Sequence, residues 1–129
     1  MPARAPLKLP FLDDVVPPLD RVDLVTVRLP FVAPFGTSVY TWTVKDALLL
    51  RLESGGVEAW GECVADPDPF YFHETTGTAR HIIKAFLLPL VEPGIPLSEL
   101  EARFVRVRGN GMAKATVENA LLDLIATAR

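Results

Sequence analysis

The sequence predicts an α+β fold in which a three-stranded antiparallel meander is followed by three helices. Apolar residues between positions 21 and 65 fall in short runs of strand length, whereas those between 73 and 128 recur with a helical period. Because strands and helices occupy separate parts of the chain, we expect the helices to pack on one face of the sheet.

The first 20 residues hold five of the twelve prolines in the chain. Proline fixes φ and has no N–H to donate, so it disfavours regular structure. We therefore predict an extended, proline-rich arm over 1–20, ahead of a single domain over 21–129.

The first two strands are predicted over 22–31 and 44–53. In the first, Val25 and Val27 share one face, and polar residues share the other. The centre of the second is apolar on both faces, which is typical of a central strand covered on both sides. The connection between them, 32–43, is longer than a hairpin requires, so we expect a long loop there.

A tight turn and a third strand complete the predicted sheet. The turn is Ser54-Gly55-Gly56, where glycine reaches positive φ without strain. The third strand is predicted over 57–65.

The first helix is predicted over 73–91, because its apolar residues are spaced as on one face of a helix. Pro89 is expected to kink or end this helix. The apolar residues that define the face are Ile82, Ile83, Phe86, Leu87 and Leu90.

Two further helices are predicted from their starting residues. Ser98 and Glu101 have the spacing of a capping box, which predicts a helix over about 98–107. Asn110 is a residue type favoured at the N-cap, which predicts a last helix over 111–128.

The composition disfavours several classes of partner. The formal net charge is −3, so no basic excess is present to neutralise a phosphate backbone, and we expect no nucleic-acid binding. No apolar run is long enough to span a bilayer, so we expect no membrane partner. The single cysteine, Cys63, cannot form an internal disulfide, which indicates a reducing, cytoplasmic compartment.

Aromatic residues concentrate in two predicted loops. Seven of the eleven lie in 31–42 or 70–72. Because loops are normally polar, this concentration favours an apolar binding site or a buried interface. The alternative is that the loops fold back and their rings extend the core.

Two charges fall inside the apolar arc of the last predicted helix. Lys114 and Glu118 are four residues apart, close enough to form an ion pair. Since a buried charge must be paired, we predict that both are partnered at a polar seam, with each other or with a neighbouring surface. Solvated ends of an ordinary helix are the alternative.

Acidic residues and a histidine crowd the region after the third strand. They lack the H-E-x-x-H pairing of a zinc helix, because Gly77 stands four residues after His73. We interpret the segment as a solvated acidic loop and expect no metal site and no catalytic residue in this chain. The residues concerned are Glu62, Asp66, Asp68, His73 and Glu74.

Four segments together resemble the N-terminal capping domain of the enolase superfamily, and within it the o-succinylbenzoate synthase / N-acylamino acid racemase group. The resemblance extends over about 21–129. The segments are LPFVAPFGTS (29–38), EAWGE (58–62), PFYFHET (69–75) and RGNGMAKATVENALLDL (108–124).

The resemblance implies that two loops of the cap close over the substrate and set specificity. By position, the substrate-binding residues carried over to this sequence are Phe35, Thr37, Ser38, Val39, Phe70, Tyr71, Asn110 and Met112. The implied substrate is a small carboxylate with an N-acyl or succinyl-aryl group. The implied reactions are loss of water to form o-succinylbenzoate, for menaquinone synthesis, and racemisation.

The family enzyme also has a modified TIM barrel, which carries the Mg²⁺-binding carboxylates and a lysine pair. The present sequence ends at Arg129 with no K-x-K pair and no trio of metal carboxylates. We therefore expect a fragment that is inactive and binds no Mg²⁺ without a C-terminal barrel as its partner. The alternative is a non-catalytic binding or oligomerisation module that uses the aromatic loops and the last helix. In either case we expect a homo-oligomer.

Overall fold

The structure is a computed structural model that describes residues 10–36 and 41–128. Within these residues the chain forms a three-stranded antiparallel sheet in the order β1-β2-β3, followed by three helices, so the predicted fold class is confirmed. The predicted arm lies outside the described residues as far as residue 9. The strands are β1 (Arg21–Gly36), β2 (Thr41–Ser54) and β3 (Val57–Cys63).

The first two strands are longer than predicted. Their pairing resumes at Phe35 and Gly36, so the expected long loop over 32–43 is wrong. The pairing shifts register between Pro30 and Phe35. β1 is an edge strand and pairs only with β2. Its prolines, which have no N–H to donate, therefore do not interrupt pairing with another strand on its outer side.

The predictions for the centre of the sheet are confirmed. Ala47 and Leu48 point to opposite faces of β2, and both are buried, with 3% and 0% of their surface exposed. Gly55 and Gly56 form the tight turn between β2 and β3 with φ of 55° and 80°.

The helices cover one face of the sheet. Thr26 lies opposite the buried Leu48, and Arg80 of the first helix donates a hydrogen bond to the Thr26 hydroxyl. Val25 and Val27 therefore lie on the other face, which we call the open face.

Ion pairs line the end of the open face near the β2–β3 turn. Arg51 Nη2 lies 2.7 Å from a carboxylate oxygen of Glu58, and Nη1 lies 3.2 Å from one of Asp23. The Arg51 guanidinium also lies 6.0 Å from the ring centroid of Trp60. The hydrogen bond from Arg51 holds the pKa of Glu58 below its usual range.

The three helices are α1 (Thr76–Ile82), α2 (Leu97–Phe104) and α3 (Gly111–Thr127). After α1 the chain continues through a π-helical turn, Ile83–Leu87, and a 3₁₀ turn, Leu88–Leu90. Pro89 lies in the last of these turns, where the helical segment ends, as predicted. None of the helices in the described part of the chain is long and apolar enough to cross a membrane.

The π turn changes which apolar residues face the core. Ile83 and Leu87 are fully buried, whereas Phe86 is 51% exposed. The prediction that Phe86 belongs to the buried face is wrong. It assumed a regular α-helix, whereas the wider π turn changes the direction in which the following side chains point.

The start of α2 is fixed by a distant residue rather than by a capping box. The helix begins at Leu97, one residue before Ser98, and its N-cap is Pro96. The N–H of Leu97 donates to the carbonyl oxygen of Asp14 at 3.0 Å. The predicted capping box of Ser98 and Glu101 is therefore wrong.

Residues after Pro10 are packed on the domain. Pro10–Asp13 form a 3₁₀ turn, and Val16 is only 1% exposed. The N–H of Val16 donates to the carbonyl oxygen of Ile95 at 2.8 Å. This part of the predicted arm joins the core cluster between the sheet and the helices.

Candidate functional site

The second aromatic segment forms a loop with a fixed base. We call residues 67–73 the aromatic loop. The N–H of Thr76 donates to the carbonyl oxygen of Asp66 at 2.9 Å and closes the base. Thr75 and Thr78 form a reciprocal capping box at the start of α1, with hydrogen bonds of 2.9 and 3.1 Å.

The tip of the aromatic loop presents its rings to solvent. Phe70 and Tyr71 are 73% and 75% exposed, and Phe72 is 39% exposed. The rings of Phe72 and His73 lie 4.2 Å apart between centroids. Phe70 and Tyr71 therefore do not extend the core, and the loop offers an apolar surface.

β3 runs towards the end of the sheet at which β2 begins. It is antiparallel to β2, and its last residue, Cys63, pairs with Leu48, seven residues after the start of β2 at Thr41. Phe35 lies in β1 at this end, opposite Trp42. The predicted site residues Thr37, Ser38 and Val39 lie outside the described residues.

Other apolar side chains near this end of β1 are exposed. Leu29 is 52% exposed and Val32 is fully exposed. These side chains and the rings of the aromatic loop are among the large exposed apolar side chains of the described residues.

The third predicted segment adjoins the base of the aromatic loop. Asn110 precedes α3 in the left-handed region, with φ of 57°, and its side-chain nitrogen donates to the carbonyl oxygen of Arg108 at 2.9 Å. The prediction that Asn110 is the N-cap residue of α3 is confirmed, but its side chain bonds to Arg108 and not to the helix. Met112 is half-buried against the core.

Glu74 links the aromatic loop to α3. Its carboxylate accepts hydrogen bonds from the N–H of Met112 at 3.0 Å and of Ala113 at 3.3 Å. The interpretation of Glu74 as part of a solvated acidic loop is therefore wrong, because only 4% of the residue is exposed. Its partners are 38 and 39 residues away, so no local pattern could have indicated this contact.

The two charges predicted at a polar seam have different environments. The Lys114 ammonium donates a hydrogen bond to the carbonyl oxygen of Val107, so the prediction that Lys114 has a partner is confirmed. Glu118 is half-buried beside Glu101 in a small pocket between α2 and α3. Burial and the negative charge of Glu101 raise the pKa of Glu118, and the positive charge of Lys114 opposes this shift only in part.

Metal-binding residues are not brought together in the described part of the chain. Within 10–36 and 41–128, no three His, Cys, Asp or Glu side chains form a group that could hold a metal ion. The Glu74 carboxylate instead accepts backbone hydrogen bonds, and Glu62 lies 3.3 Å from Lys45.

Comparison with known proteins relates this geometry to one family. The family model for the mandelate racemase / muconate lactonizing enzyme N-terminal domain matches residues 21–129. An o-succinylbenzoate synthase from Geobacillus kaustophilus is 39% identical over 111 residues, which cover 84% of this chain and 30% of that protein. An N-succinylamino acid racemase from an Amycolatopsis species is 37% identical over 107 residues, which cover 81% of this chain and 29% of that protein.

Solved structures agree with this relation. A member of the enolase superfamily from Listeria innocua superposes with a TM-score of 0.76 at 36% identity, over 87% of this chain and 30% of that one. This chain thus spans about 30% of the length of the relatives it matches. The predicted resemblance is confirmed, and the chain belongs to the mandelate racemase / muconate lactonizing enzyme N-terminal domain family of the enolase superfamily.

Proposed function

We propose that this chain is the substrate-specificity cap of an enzyme similar to o-succinylbenzoate synthase and N-succinylamino acid racemase. The observation that carries the proposal is the exposure of Phe70 and Tyr71 on a loop whose base is fixed against the start of α3. Aromatic rings that are largely exposed on a loop with a fixed base are typical of a binding surface.

The chemistry of this surface favours a substrate with an apolar part. The rings of Phe70 and Tyr71 would cover an N-acyl or succinyl-aryl group of a small carboxylate. Closure of such loops excludes water from the reacting centre, which strengthens the electrostatic interactions inside it.

The proposed reaction requires a second domain. Enzymes of the enolase superfamily depend in general on Mg²⁺, and the described residues of this chain do not form a site that fits this ion. In our proposal, Mg²⁺ and the acid–base residues belong to a C-terminal barrel, and this chain binds and orients the substrate against it. The cap alone would then have no activity.

The proposal can be tested with a chimera. Residues 1–129 replace the N-terminal part of the Geobacillus kaustophilus o-succinylbenzoate synthase through the end of its matching segment, which is 39% identical. We expect Mg²⁺-dependent exchange of the substrate α-proton with solvent deuterium in the chimera, and none in the barrel without a cap. A chimera that folds and binds Mg²⁺, yet shows no exchange and no substrate binding, would contradict the proposal.

A further inference from the structure

The carboxylate of Glu74 is buried beneath the aromatic loop, with 4% of the residue exposed. A buried charge is costly unless hydrogen bonds replace its lost hydration. Here the replacement comes from the backbone, because Met112 N–H lies within 3.0 and 3.1 Å of the two carboxylate oxygens and Ala113 N–H lies within 3.3 Å of one.

These two N–H groups belong to the first turn of α3, where the helix itself supplies no acceptor. Asn110 adopts a left-handed conformation, and its side chain bonds to Arg108. Glu74 therefore serves as the cap of α3 from another part of the chain. Its negative charge also lies at the positive end of the helix dipole.

On its other side, Glu74 is directly connected to the aromatic loop. It precedes Thr75, the N-cap of α1, and follows His73, the last residue of the loop. One side chain thus joins the segment that carries Phe70 and Tyr71 to the segment that carries Met112.

We propose that Glu74 is a positioning residue that holds the aromatic loop and the start of α3 as one unit, so that Phe70, Tyr71 and Met112 face the substrate together. This inference rests on the proposed function of the loop as a substrate contact. Glu74 itself lies beneath the surface and acts through the residues that it positions.

The first test measures amide hydrogen exchange in the 129-residue chain. We expect Glu74→Gln to accelerate exchange of Met112, Ala113 and the loop amides, while Leu48 and Leu50 in the core keep their protection. Glu74→Ala should accelerate the same amides further, because the neutral amide oxygen of glutamine can still accept hydrogen bonds, although weaker ones than a carboxylate accepts. Glu62→Gln makes the same chemical change at an exposed carboxylate and should alter none of them.

Two results of this first test would overturn the inference. One is unchanged exchange in the loop and at Met112 in Glu74→Gln. The other is acceleration of all amides alike, which would show a purely global loss of stability. If Glu74→Ala does not fold, amide exchange in Glu74→Gln alone tests the inference.

The second test separates this inference from the proposed function. In the chimera, Glu74→Gln should raise KM several-fold with little change in kcat, because it loosens the substrate contact without touching the reacting atoms. If Phe70→Ala raises KM and Glu74→Gln does not, the positioning role is wrong and the proposed function stands. If neither variant changes KM, the proposed function itself is wrong.

Discussion

Gly61 determines how closely the last helix approaches the sheet. A Cβ atom at this position would lie 2.2 Å from the carbonyl oxygen of Thr116 and 3.0 Å from the Cβ of Ala120. Both contacts involve α3, and the first is with its backbone, which cannot turn away as a flexible side chain can. Glycine is therefore required here for direct packing of β3 against α3.

We expect Gly61→Ala to lower the free energy of unfolding by about 1–3 kcal/mol or more, because overpacking displaces α3 from the sheet. Gly77→Ala is the matched control, since its new Cβ would meet only Thr75 Oγ1 at 3.7 Å. Urea unfolding of the three proteins measures the difference. Equal stability of Gly61→Ala and the parent chain would show that β3 and α3 are not packed as described.

Between elements, the contact of α2 with α3 contains an unfavourable charge. Glu118 lines a pocket with Leu97, Leu100, Glu101 and Leu122. Burial raises the pKa of Glu118, and the like charge of Glu101 adds to the shift. A carboxyl group whose pKa is higher in the folded state than in the unfolded state binds protons more tightly when folded, so its ionisation reduces stability as the pH rises.

We therefore expect Glu118→Gln to be more stable than the parent chain at pH 7. The gain should shrink as the pH falls through the raised pKa of Glu118, and it should vanish where the carboxyl is protonated in both the folded and unfolded states. Urea unfolding at a series of pH values measures this dependence. A Glu118→Gln variant that is less stable than the parent at pH 7 would show that the Glu118 carboxylate has a stabilising partner.

The elements were predictable where the information is local. Strand periodicity, the glycine turn and the helical period of residues 111–128 predicted the sheet and α3 because each depends on neighbours in sequence. The start of α3 was also predicted, from Asn110. The contact of Asp14 with the first residue of α2 and the contact of Glu74 with α3 were not predictable in this way, because each joins residues far apart in the chain.

The candidate site was predictable from composition and resemblance rather than from spacing. Aromatic residues in a loop indicated an exposed apolar surface, and Phe70 and Tyr71 are indeed exposed. Glu74 could not be placed from sequence, because an acidic residue in an acidic loop has the same local pattern whether its carboxylate is solvated or buried.

At the scale of the whole molecule, two features stand together. Phe70 and Tyr71 are exposed, and the chain spans about 30% of the length of the relatives it matches. Exposed aromatic rings at one end favour contact with another body, whether a barrel, a substrate or a second copy. The homo-oligomer expected from the sequence stays a prediction.

We expect the 129-residue chain to bind an apolar fluorescent dye or to self-associate in sedimentation experiments, and the double variant Phe70→Ala/Tyr71→Ala to do so less. Phe86→Ala is the control, because Phe86 is also exposed, at 51%, but lies outside the loop. A parent chain that is monomeric and binds no dye would contradict this expectation.

The central claim is that the aromatic loop recognises the apolar part of a substrate. Its most direct test is kcat/KM of the chimera and of its Phe70→Ala/Tyr71→Ala variant over substrates whose acyl groups increase in apolar area. Burial of one large apolar side chain is worth about 1.5–3 kcal/mol, so the double substitution should lower kcat/KM by about tenfold to a hundredfold for the largest acyl group and far less for acetyl. The same kcat/KM in the chimera and its variant across the whole series would contradict the claim.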